Sequence, residues 1–448
     1  MSPVFNKRLL DENFQGKNVL LLQGPLGPFF KHLAAWLRES GATVHKINFN
    51  GGDVLFYPSG IRYCGAMEAI PHFIQNFCVE QGIDTIMLFG DCRLVHAGIY
   101  GLACQHGWDL RVFEEGYLRP DHVTCERYGV NGYSTIPRYG KFYLDRPAAQ
   151  QLPDPQPLKR TYGHMAAWAV LYYTAAQLLK PIFPHYRHHR PLTLLEAIPW
   201  IRSLVRKYRY SFMERGKQKW LAETMTKKYF LVPLQVWNDT QVNIHSRYES
   251  INQFILEVMQ SFAAHAPQST LLVIKHHPMD RAYTDYSKII QQYAVNLGIK
   301  DRVLYIHDQH LPTLFAATRG VIVINSTTGF SALMKGIPVK VCGEAFYDFS
   351  NLTFRGSLDN FWSATENIKV DTHMCAMVKA YLESTSQLRG SLYLGNSVFA
   401  ALEGCPPVPH RNAQTQPHPG VHRHQPCAPA VCRKPAKIST SRKQASTS

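Results

Sequence analysis

The stretch Leu231-Val-Pro-Leu-Gln-Val-Trp-Asn-Asp239, followed by Thr240 and Gln241, joins an apolar run to a polar cluster. The apolar run predicts a buried β-strand, and the polar cluster begins where that strand would pass into a loop. In open parallel α/β sheets, ligands bind beyond the carboxyl ends of the strands. The Asp239 carboxylate is therefore a candidate for chemistry. The alternative is that Asp239 or Thr240 only caps the helix that would end near Ala264.

The composition limits the classes of protein to consider. A chain of 448 residues exceeds what one hydrophobic core usually supports, so we expect two domains. The formal net charge of +16 at pH 7 calls for an anionic partner, such as a nucleotide, a nucleic acid or an anionic lipid. The ten cysteines show no paired spacing, and the polar start at residues 1–8 does not resemble a secretion signal. These features predict a cytoplasmic protein with reduced thiols.

The first half of the chain predicts a βαβ unit. It consists of an apolar run at residues 17–23, a helix at 31–40 and a second strand at 42–49. Its first turn contains Gly24 and Gly27, which either let a ligand approach the backbone or only turn the chain. The turn lacks the glycine spacing of a dinucleotide-binding motif.

Two further predicted strands, at residues 83–89 and 109–113, end in clustered ionisable residues. These residues are Asp91, Arg93, Glu114, Glu115 and Arg119. Parallel strands would bring both clusters to one edge of the sheet. Acidic residues at strand ends are often only solvated loop residues, and this alternative stays open for Asp91. At Glu115 the following glycine permits a sharp turn, and Arg119 could hold or tune the carboxylate.

A Pro- and Gln-rich stretch at residues 145–160 predicts a linker before an aromatic and then basic region. The apolar run at residues 164–179 is too short to span a bilayer, which needs about 20 apolar residues. An aromatic face beside a basic one is what an interfacial membrane helix requires. We expect membrane contact through four basic side chains: Arg202, Arg206, Lys207 and Arg209. The alternatives are a packed helix pair with a solvated charged face and an RNA-binding surface.

The second half repeats the α/β pattern after Asp239. A strand predicted at residues 271–275 ends in Lys275 and His277, and another at 320–324 ends in the polar turn Asn325-Ser326-Thr327-Thr328 before a helix. A hydroxyl-rich turn between a strand and a helix favours anions, because free backbone N–H groups face the ligand. Plain N-capping is the alternative. With a lysine and a histidine at the neighbouring strand end, the pattern favours phosphate binding.

Together these features predict an α/β protein with two Rossmann-like, doubly wound domains facing a cleft, which is the GT-B architecture. Five motifs occur in order within a match that covers roughly residues 15 to 400: Phe89-Gly-Asp91-x-Arg93-x-x-His96, Phe113-Glu-Glu-Gly-Tyr-Leu-Arg-Pro120, Gln235-Val-x-x-Asp239, Lys275-His-His-Pro278 and Asn325-Ser-Thr-Thr-Gly-Phe-Ser-Ala-Leu-x-x-Gly-x-Pro338. This series resembles the capsule polysaccharide biosynthesis family, and most closely its KpsS/LipB branch. Five motifs in order make a chance match improbable.

The resemblance implies a retaining β-Kdo transferase that takes Kdo from CMP-Kdo and adds it to a phosphatidylglycerol-type lipid. By position in the motifs, Asp239 corresponds to the suggested nucleophile and Glu115 to the acid/base carboxylate. Double displacement with retention needs these two roles. Residues that would bind the donor are Gln235, Lys275, His277, Asn325, Ser326, Thr327 and Thr328. Other residues expected in the cleft are Gly24, Gly27, Asp91, Arg93, Glu114 and Arg119.

The resemblance also implies where the protein works and with what. Expected partners are CMP-Kdo, an anionic phospholipid acceptor and the surface of the inner membrane, where the protein would be peripheral on the cytoplasmic side. Other capsule biosynthesis or export proteins are further candidate partners, and we expect no nucleic acid. We expect no cofactor beyond the donor substrate and no bound metal, because no His/Asp cluster has clear metal-ligand spacing.

Four ranges describe the predicted domain organisation. They are an N-terminal acceptor-side domain at 1–160, an aromatic and basic helical segment at 161–225, a C-terminal donor domain at 226–400, and a tail at 401–448. The tail is rich in Pro, His, Cys and Ser without periodicity and predicts disorder, or even an out-of-frame read-through. Its His and Cys residues do not match a standard zinc finger: His422, His424, Cys427 and Cys432.

Two other functional classes remain open from the sequence. One is an inverting CMP-sugar transferase of the sialyltransferase kind, which needs a single general base and no nucleophile. The other is a non-catalytic scaffold for capsule export. The intact pair of Glu115 and Asp239 argues against the scaffold, and the anomeric configuration of the product would separate the two enzymes.

Overall fold

The structure is a computed structural model that describes residues 13–145, 161–188, 197–394 and 398, with the backbone alone described at 197–201 and 240. The predicted tail at 401–448 and most of the predicted linker at 145–160 lie outside the described residues.

The N-terminal half is built around a mainly parallel sheet. Its first six strands are β1 (Asn18–Leu21), β2 (Thr43–Asn48), β3 (Ile61–Arg62), β4 (Thr85–Phe89), β5 (Asp109–Glu115) and β6 (His122–Arg127). The spatial order β3-β2-β1-β4-β5 is parallel throughout, and β6 adds to β5 in the antiparallel direction. The accompanying helices are α1 (Phe29–Glu39), α2 (Gly51–Phe56), α3 (Ile70–Glu80), α4 (Ile99–His106) and α5 (Gly140–Leu144).

Strand β1 shows why this half folds as a layered sheet. Val19 and Leu21 pack on one face, in the same core as Leu33 of α1, whereas Leu20 packs on the other face with Ile74 of α3. Successive side chains of a strand point to opposite faces, so a strand covered by helices on both sides must be apolar throughout. The short apolar runs of the sequence are therefore the centre of the sheet.

The C-terminal half repeats the same strand order. Its strands are β7 (Tyr229–Pro233), β8 (Leu271–Lys275), β9 (Val303–Ile306), β10 (Gly320–Val323) and β11 (Val339–Val341). They are parallel throughout and run β9-β8-β7-β10-β11 across the sheet. The helices of this half are α9 (Thr240–Ile244), α10 (Ile251–His265), α11 (Ser287–Asn296), α12 (Leu311–Ala317), α13 (Thr327–Leu333), α14 (Leu358–Ala364) and α15 (Thr372–Thr385). The predicted α/β fold with two doubly wound sheets is confirmed.

The last described strand, β12 (Gln387–Arg389), returns to the N-terminal sheet. After α15 it pairs antiparallel with β6, where Gln387 lies opposite Thr124. The Gln387 side chain is buried, and its Oε1 accepts a hydrogen bond from the backbone N–H of Tyr117 at 2.8 Å. The predicted donor domain at 226–400 therefore does not stay within one sheet, because its C-terminal end completes the other.

The described part of the segment between the halves contains three helices: α6 (Tyr162–Leu178), α7 (Ala197–Met213) and α8 (Lys217–Glu223). Helix α6 packs on α2 of the N-terminal half, and the Tyr172 hydroxyl donates to Asp53 Oδ1 at 2.9 Å. Helix α7 contacts the C-terminal half instead, where Arg202 donates to the carbonyl of Ala282 at 2.7 Å. Within the described ranges, no helix combines the length and the apolar character needed to cross a membrane.

Candidate active site

Each sheet has one switch point, where the connections that follow two adjacent strands lead to opposite sides of the sheet. In the C-terminal half this point lies between β7 and β10. Ligands of doubly wound sheets bind in the crevice outside the switch point. The polar cluster after β7 and the hydroxyl-rich turn after β10 both lie there, so the structure brings Gln235, Asp239 and Asn325 together.

The Asp239 carboxylate is held from two sides at this switch point. Its Oδ1 accepts a hydrogen bond from the backbone N–H of Gln241 at 2.9 Å, which makes Asp239 the N-cap of α9. Its Oδ2 accepts from the side-chain amide of Gln235 at 3.1 Å. The capping interpretation is therefore correct as a description of contacts. It does not compete with a chemical role, because each carboxylate oxygen can accept more than one hydrogen bond.

Gln235 and Asn325 form an amide pair that supports this carboxylate. Gln235 Nε2 donates to Asn325 Oδ1 at 3.0 Å, and the Asn325 backbone N–H donates back to Gln235 Oε1 at 3.3 Å. The Asn325 side chain also donates to the carbonyls of Gln241 at 2.9 Å and His245 at 3.3 Å. Both residues were predicted to bind the donor. The structure gives them a contact to the carboxylate and to both ends of α9.

The hydroxyl-rich turn caps α13. Ser326 Oγ accepts from the backbone N–H of Thr328 at 3.2 Å and bonds to the Thr328 hydroxyl at 2.9 Å. The Tyr347 hydroxyl donates to the carbonyl of Ser326. Thr327 begins the helix. N-capping is thus observed, and phosphate binding at this turn stays a prediction.

Lys275 ends β8 in a buried position, with 6% of the residue exposed. Its ammonium donates only weakly to the carbonyl of His276, at 3.4 Å. Burial lowers the pKa of Lys275 to about 8, and the nearby carboxylates of Asp308 and Glu214 oppose that shift. His277 lies beyond the strand end, where its Nδ1 accepts from the backbone N–H of Met279 at 3.2 Å. Lys275 and His277, which were both predicted to bind phosphate, therefore differ: the lysine is buried, and the histidine lies beyond the strand end.

In the N-terminal half, the residues after β4 mainly hold loops. Asp91 Oδ2 accepts from the backbone N–H of Val130 at 3.1 Å. Arg93 donates to the carbonyl of Gly24 at 2.9 Å and to Gln23 Oε1 at 3.1 Å. Both side chains thus have partners within the protein, and a role for Asp91 or Arg93 in the cleft stays a prediction.

The glycines of the first turn are needed for packing. A Cβ at Gly24 would lie 2.8 Å from the Phe30 ring. Gly27 has a φ of +102°, and a Cβ there would lie 2.9 Å from the Trp168 ring of α6. Close packing is thus observed at both glycines, and the approach of a ligand to this turn stays a prediction.

The two glutamates at the end of β5 have different environments. Glu115 Oε1 accepts a hydrogen bond from the Tyr393 hydroxyl at 2.5 Å. Glu114 Oε1 accepts from the backbone N–H of Glu115 at 3.0 Å. Burial, with the neighbouring charge of Glu115, raises the pKa of Glu114 to about 7, against the effect of Arg93. Arg119 donates to the carbonyl of Gly116 at 3.2 Å.

A contact between the halves that no sequence pattern predicted is centred on His245. This residue follows α9 and is 1% exposed. Its ring meets the Tyr133 ring edge-on at 4.3 Å between centroids, and its Nε2 lies 3.9 Å from Cys92 Sγ. A Cβ at Gly132 would lie 2.1 Å from His245 Nδ1. A glycine at position 132 permits this approach, but a glycine alone does not indicate its partner.

The four basic residues predicted to contact a membrane divide into two pairs. Arg202 and Arg206 are used within the protein, since Arg206 Nη1 donates to the carbonyl of Arg281 at 2.9 Å and Arg202 donates to the same segment. Lys207 and Arg209 are exposed. Binding of any of the four to lipid stays a prediction.

Comparison with known proteins identifies relatives over most of the chain. A family model described as capsule polysaccharide biosynthesis protein matches residues 84–393. The capsule polysaccharide modification protein LipB of Neisseria meningitidis serogroup B is 37% identical over 386 residues, covering 84% of this chain and 92% of LipB. The capsule polysaccharide export protein KpsS of Escherichia coli is 38% identical over 383 residues, covering 84% and 97% of the two chains.

Among solved structures, the glycosyltransferase SnogD from Streptomyces nogalater aligns with a TM-score of 0.31 and 11% identity, covering 87% of this chain and 100% of SnogD. Anabaena HepE, solved in complex with UDP-glucose, aligns with a TM-score of 0.31 and 12% identity, covering 86% of this chain and 99% of HepE.

Proposed function

Because the chain belongs to the capsule polysaccharide biosynthesis family, we propose that it is a retaining glycosyltransferase that moves Kdo from CMP-Kdo to a phosphatidylglycerol-type lipid. The product would start the glycolipid anchor of a capsular polysaccharide. The acceptor would be reached at the cytoplasmic face of the inner membrane, with the protein bound peripherally. The observation that supports this proposal best is the Asp239 carboxylate, held at the switch point of the C-terminal sheet by Gln235 and Gln241.

In the proposed first step, an Asp239 oxygen attacks the anomeric carbon of the donor while the bond from that carbon to the CMP phosphate breaks. The electron pair of the broken bond leaves with CMP. The hydrogen bonds from Gln235 and from the Gln241 backbone keep the carboxylate oriented. A glycosyl ester on Asp239 results, with the configuration inverted once.

In the second step, the acceptor hydroxyl attacks the same carbon from the other side and displaces Asp239, so that the original configuration returns. The hydroxyl proton has to be taken up, and we assign this role to Glu115. The Tyr393 hydroxyl occupies Glu115 Oε1, which orients the carboxylate, so Oε2 would accept the proton. The Glu114 carboxylate stabilises the same turn by accepting a hydrogen bond from the Glu115 backbone N–H.

The leaving CMP carries a negative phosphate, and cations with helix-end amides are sufficient to stabilise it. We assign this role to Lys275 and His277, together with the backbone and hydroxyls of Ser326–Thr328. Each charge-assisted hydrogen bond of this kind contributes about 1.5–3 kcal/mol. The proposal invokes no metal and no cofactor besides the sugar nucleotide.

The direct test is incubation of the purified protein with CMP-Kdo and a labelled phosphatidylglycerol, followed by mass spectrometry and determination of the anomeric configuration. Asp239→Asn should abolish transfer and keep CMP affinity within a few-fold, because an amide cannot form the ester. Asp301→Asn, the same change at an exposed aspartate away from the switch point, serves as a matched control. An inverted product would favour the sialyltransferase-like alternative, and absence of transfer by the wild type would favour the scaffold.

A further inference from the structure

Helix α7 is attached to the C-terminal half by its polar side. Ser203, Arg206 and Tyr210 follow one another at helical spacing and face the protein. Arg281 Nε donates to the Ser203 carbonyl at 3.0 Å, and Arg206 donates to the carbonyls of residues 281 and 284 at 2.9 and 3.2 Å. The Tyr210 ring stacks on the His307 ring with a centroid distance of 3.5 Å. These contacts fix the rotation of α7 about its axis.

The end of the helix is held in the same orientation. Glu214 follows α7 directly and is buried, and its Oε1 bonds to His307 Nδ1 at 2.6 Å. Its Oε2 accepts from the His307 backbone N–H at 3.0 Å and from the Gln309 side chain at 2.9 Å. The helix therefore cannot roll without breaking buried charge-assisted hydrogen bonds, which are the strong kind.

This attachment directs an apolar row of α7 away from the protein. Leu204, Tyr208 and Phe212 are spaced four residues apart, so they form one row on the face opposite Tyr210. They are 56%, 70% and 79% exposed, and the neighbouring Val205 is exposed as well. An amphipathic helix on a globular protein normally turns its apolar stripe inward. Here the polar side is inward and the apolar row faces outward.

The charges around this apolar row are positive and indicate an anionic partner. Lys207 and Arg209 flank it, and further cations follow the helix: Arg215, Lys217 and Lys219. Residues 197–213 contain no Asp or Glu, and the next acidic residue, Glu214, is buried against His307. A long apolar row with aromatic residues between cations matches the boundary between the headgroups and acyl chains of an anionic bilayer. A second copy of this chain would bring the same cations into contact with each other.

We propose that the outward face of α7 docks on an anionic lipid bilayer, with Leu204, Tyr208 and Phe212 inserted below the headgroups. Lys207 and Arg209 then contact lipid phosphates, whereas Arg202 and Arg206 anchor the helix to the protein. The segment that receives those two arginines, residues 281–284, begins three residues after the end of Lys275-His-His-Pro278. Docking would thus hold the bilayer at a fixed position relative to the strand ends of the donor half. This inference gives the lipid partner of the proposed function a defined surface.

The test measures binding to vesicles by co-sedimentation, with no sugar nucleotide present. Vesicles of phosphatidylcholine are compared with vesicles that also contain phosphatidylglycerol, at salt concentrations of about 0.1 M and about 1 M. The triple variant Leu204→Ser, Tyr208→Ser and Phe212→Ser should lower the partition coefficient for the anionic vesicles at least tenfold. The matched control is Val79→Ser with Val295→Ser, two apolar residues that are 63% and 56% exposed on other helices, and it should bind like the wild type.

Lys207→Gln with Arg209→Gln should weaken both the preference for anionic over neutral vesicles and the sensitivity to salt, because Arg215, Lys217 and Lys219 remain. Thermal unfolding checks that the variants fold, which we expect because the replaced side chains are exposed.

Equal vesicle binding by the triple variant and the wild type would overturn the proposal, as would absence of vesicle binding by the wild type. Self-association of the wild type that the triple variant loses, without vesicle binding, would assign the face to a second copy and also overturn it. Failure of the proposed reaction is separable, because transfer to a short-chain lipid in detergent does not require docking. The triple variant should keep that transfer.

Discussion

Raising the pH should weaken CMP binding through one side chain, Lys275. The ordinary pKa of a lysine is 10.5, and burial on β8 lowers the pKa of Lys275 to about 8. At a pH one unit above this value, about one tenth of the molecules carry the ammonium. If the ammonium binds the donor phosphate, only that fraction makes the charge-assisted contact and binds CMP with full affinity.

The size of the effect follows from the same pKa. CMP affinity should fall only about twofold between about pH 7 and pH 8, and the decrease should then steepen toward about tenfold per pH unit, which corresponds to about 1.4 kcal/mol. The decrease should level off when the full contribution of the contact, about 1.5–3 kcal/mol, is lost. The ligand does not cause this slope, because the second phosphate pKa of CMP is about 6.

A loss of protein stability at high pH does not explain the weaker CMP binding either. A lysine with a lowered folded-state pKa makes the folded protein bind fewer protons than the unfolded chain between about pH 8 and pH 10.5. The free energy of unfolding contributed by Lys275 therefore rises with pH across that window. As the pH rises, CMP affinity should therefore decrease while the free energy of unfolding contributed by Lys275 increases.

The assay is calorimetric titration with CMP across this pH range. Lys275→Arg is the matched control, because a guanidinium stays charged and should give a flat profile. Lys275→Ala should bind weakly at every pH. A flat profile in the wild type, or the same slope in Lys275→Arg, would refute the reasoning. The Lys275 ammonium would then interact with the carboxylates of Asp308 and Glu214 and would not bind the donor phosphate.

Three further predictions concern the N-terminal half. Burial raises the pKa of Glu126 to about 7, and its Oε1 has no partner among the described residues. Glu126→Gln should therefore raise the free energy of unfolding above pH 7, by up to about 3 kcal/mol, and have little effect near pH 4.5. Equal effects at both pH values would contradict this prediction. Gly132→Ala should lower the unfolding temperature and transfer, because its Cβ would overlap His245, and unchanged values of both would contradict the contact. Tyr393→Phe should slow transfer severalfold at constant CMP affinity, because the hydroxyl orients Glu115, and steady-state kinetics showing unchanged turnover would exclude that role.

The sequence predicted the centres of the sheets well, because a strand covered on both faces is a short apolar run. The strand predicted at 271–275 is β8 without a change of bounds, whereas the strand predicted at 109–113 extends to Glu115. The extension depends on pairing with β6, where Glu114 lies opposite Thr124 and Glu115 opposite Val123. An antiparallel partner can lengthen a strand through polar residues, and no local pattern shows this.

The contacts that shape the candidate site were harder to predict because they join distant parts of the chain. The cations at Arg202 and Arg206 were correctly placed on a helix, but their direction depends on carbonyls about 80 residues away. The return of β12 to the first sheet also depends on distant partners, as does the contact of His245 with Tyr133. Charge and periodicity identify side chains that can act, whereas their orientation is decided by the tertiary fold.

Helix α9 connects these distant contacts to the proposed chemistry. It has five residues, a length of about 7.5 Å, with Asp239 at its start and His245 just after its end. Asn325 fixes it to the C-terminal half by donating to carbonyls of Gln241 and His245. Cys92 and its neighbours of the N-terminal half enclose the His245 ring. Because so short a helix moves as one piece, displacement of His245 would shift Asp239 relative to Gln235. The N-terminal half would therefore control where the proposed nucleophile lies, in addition to contributing Glu115.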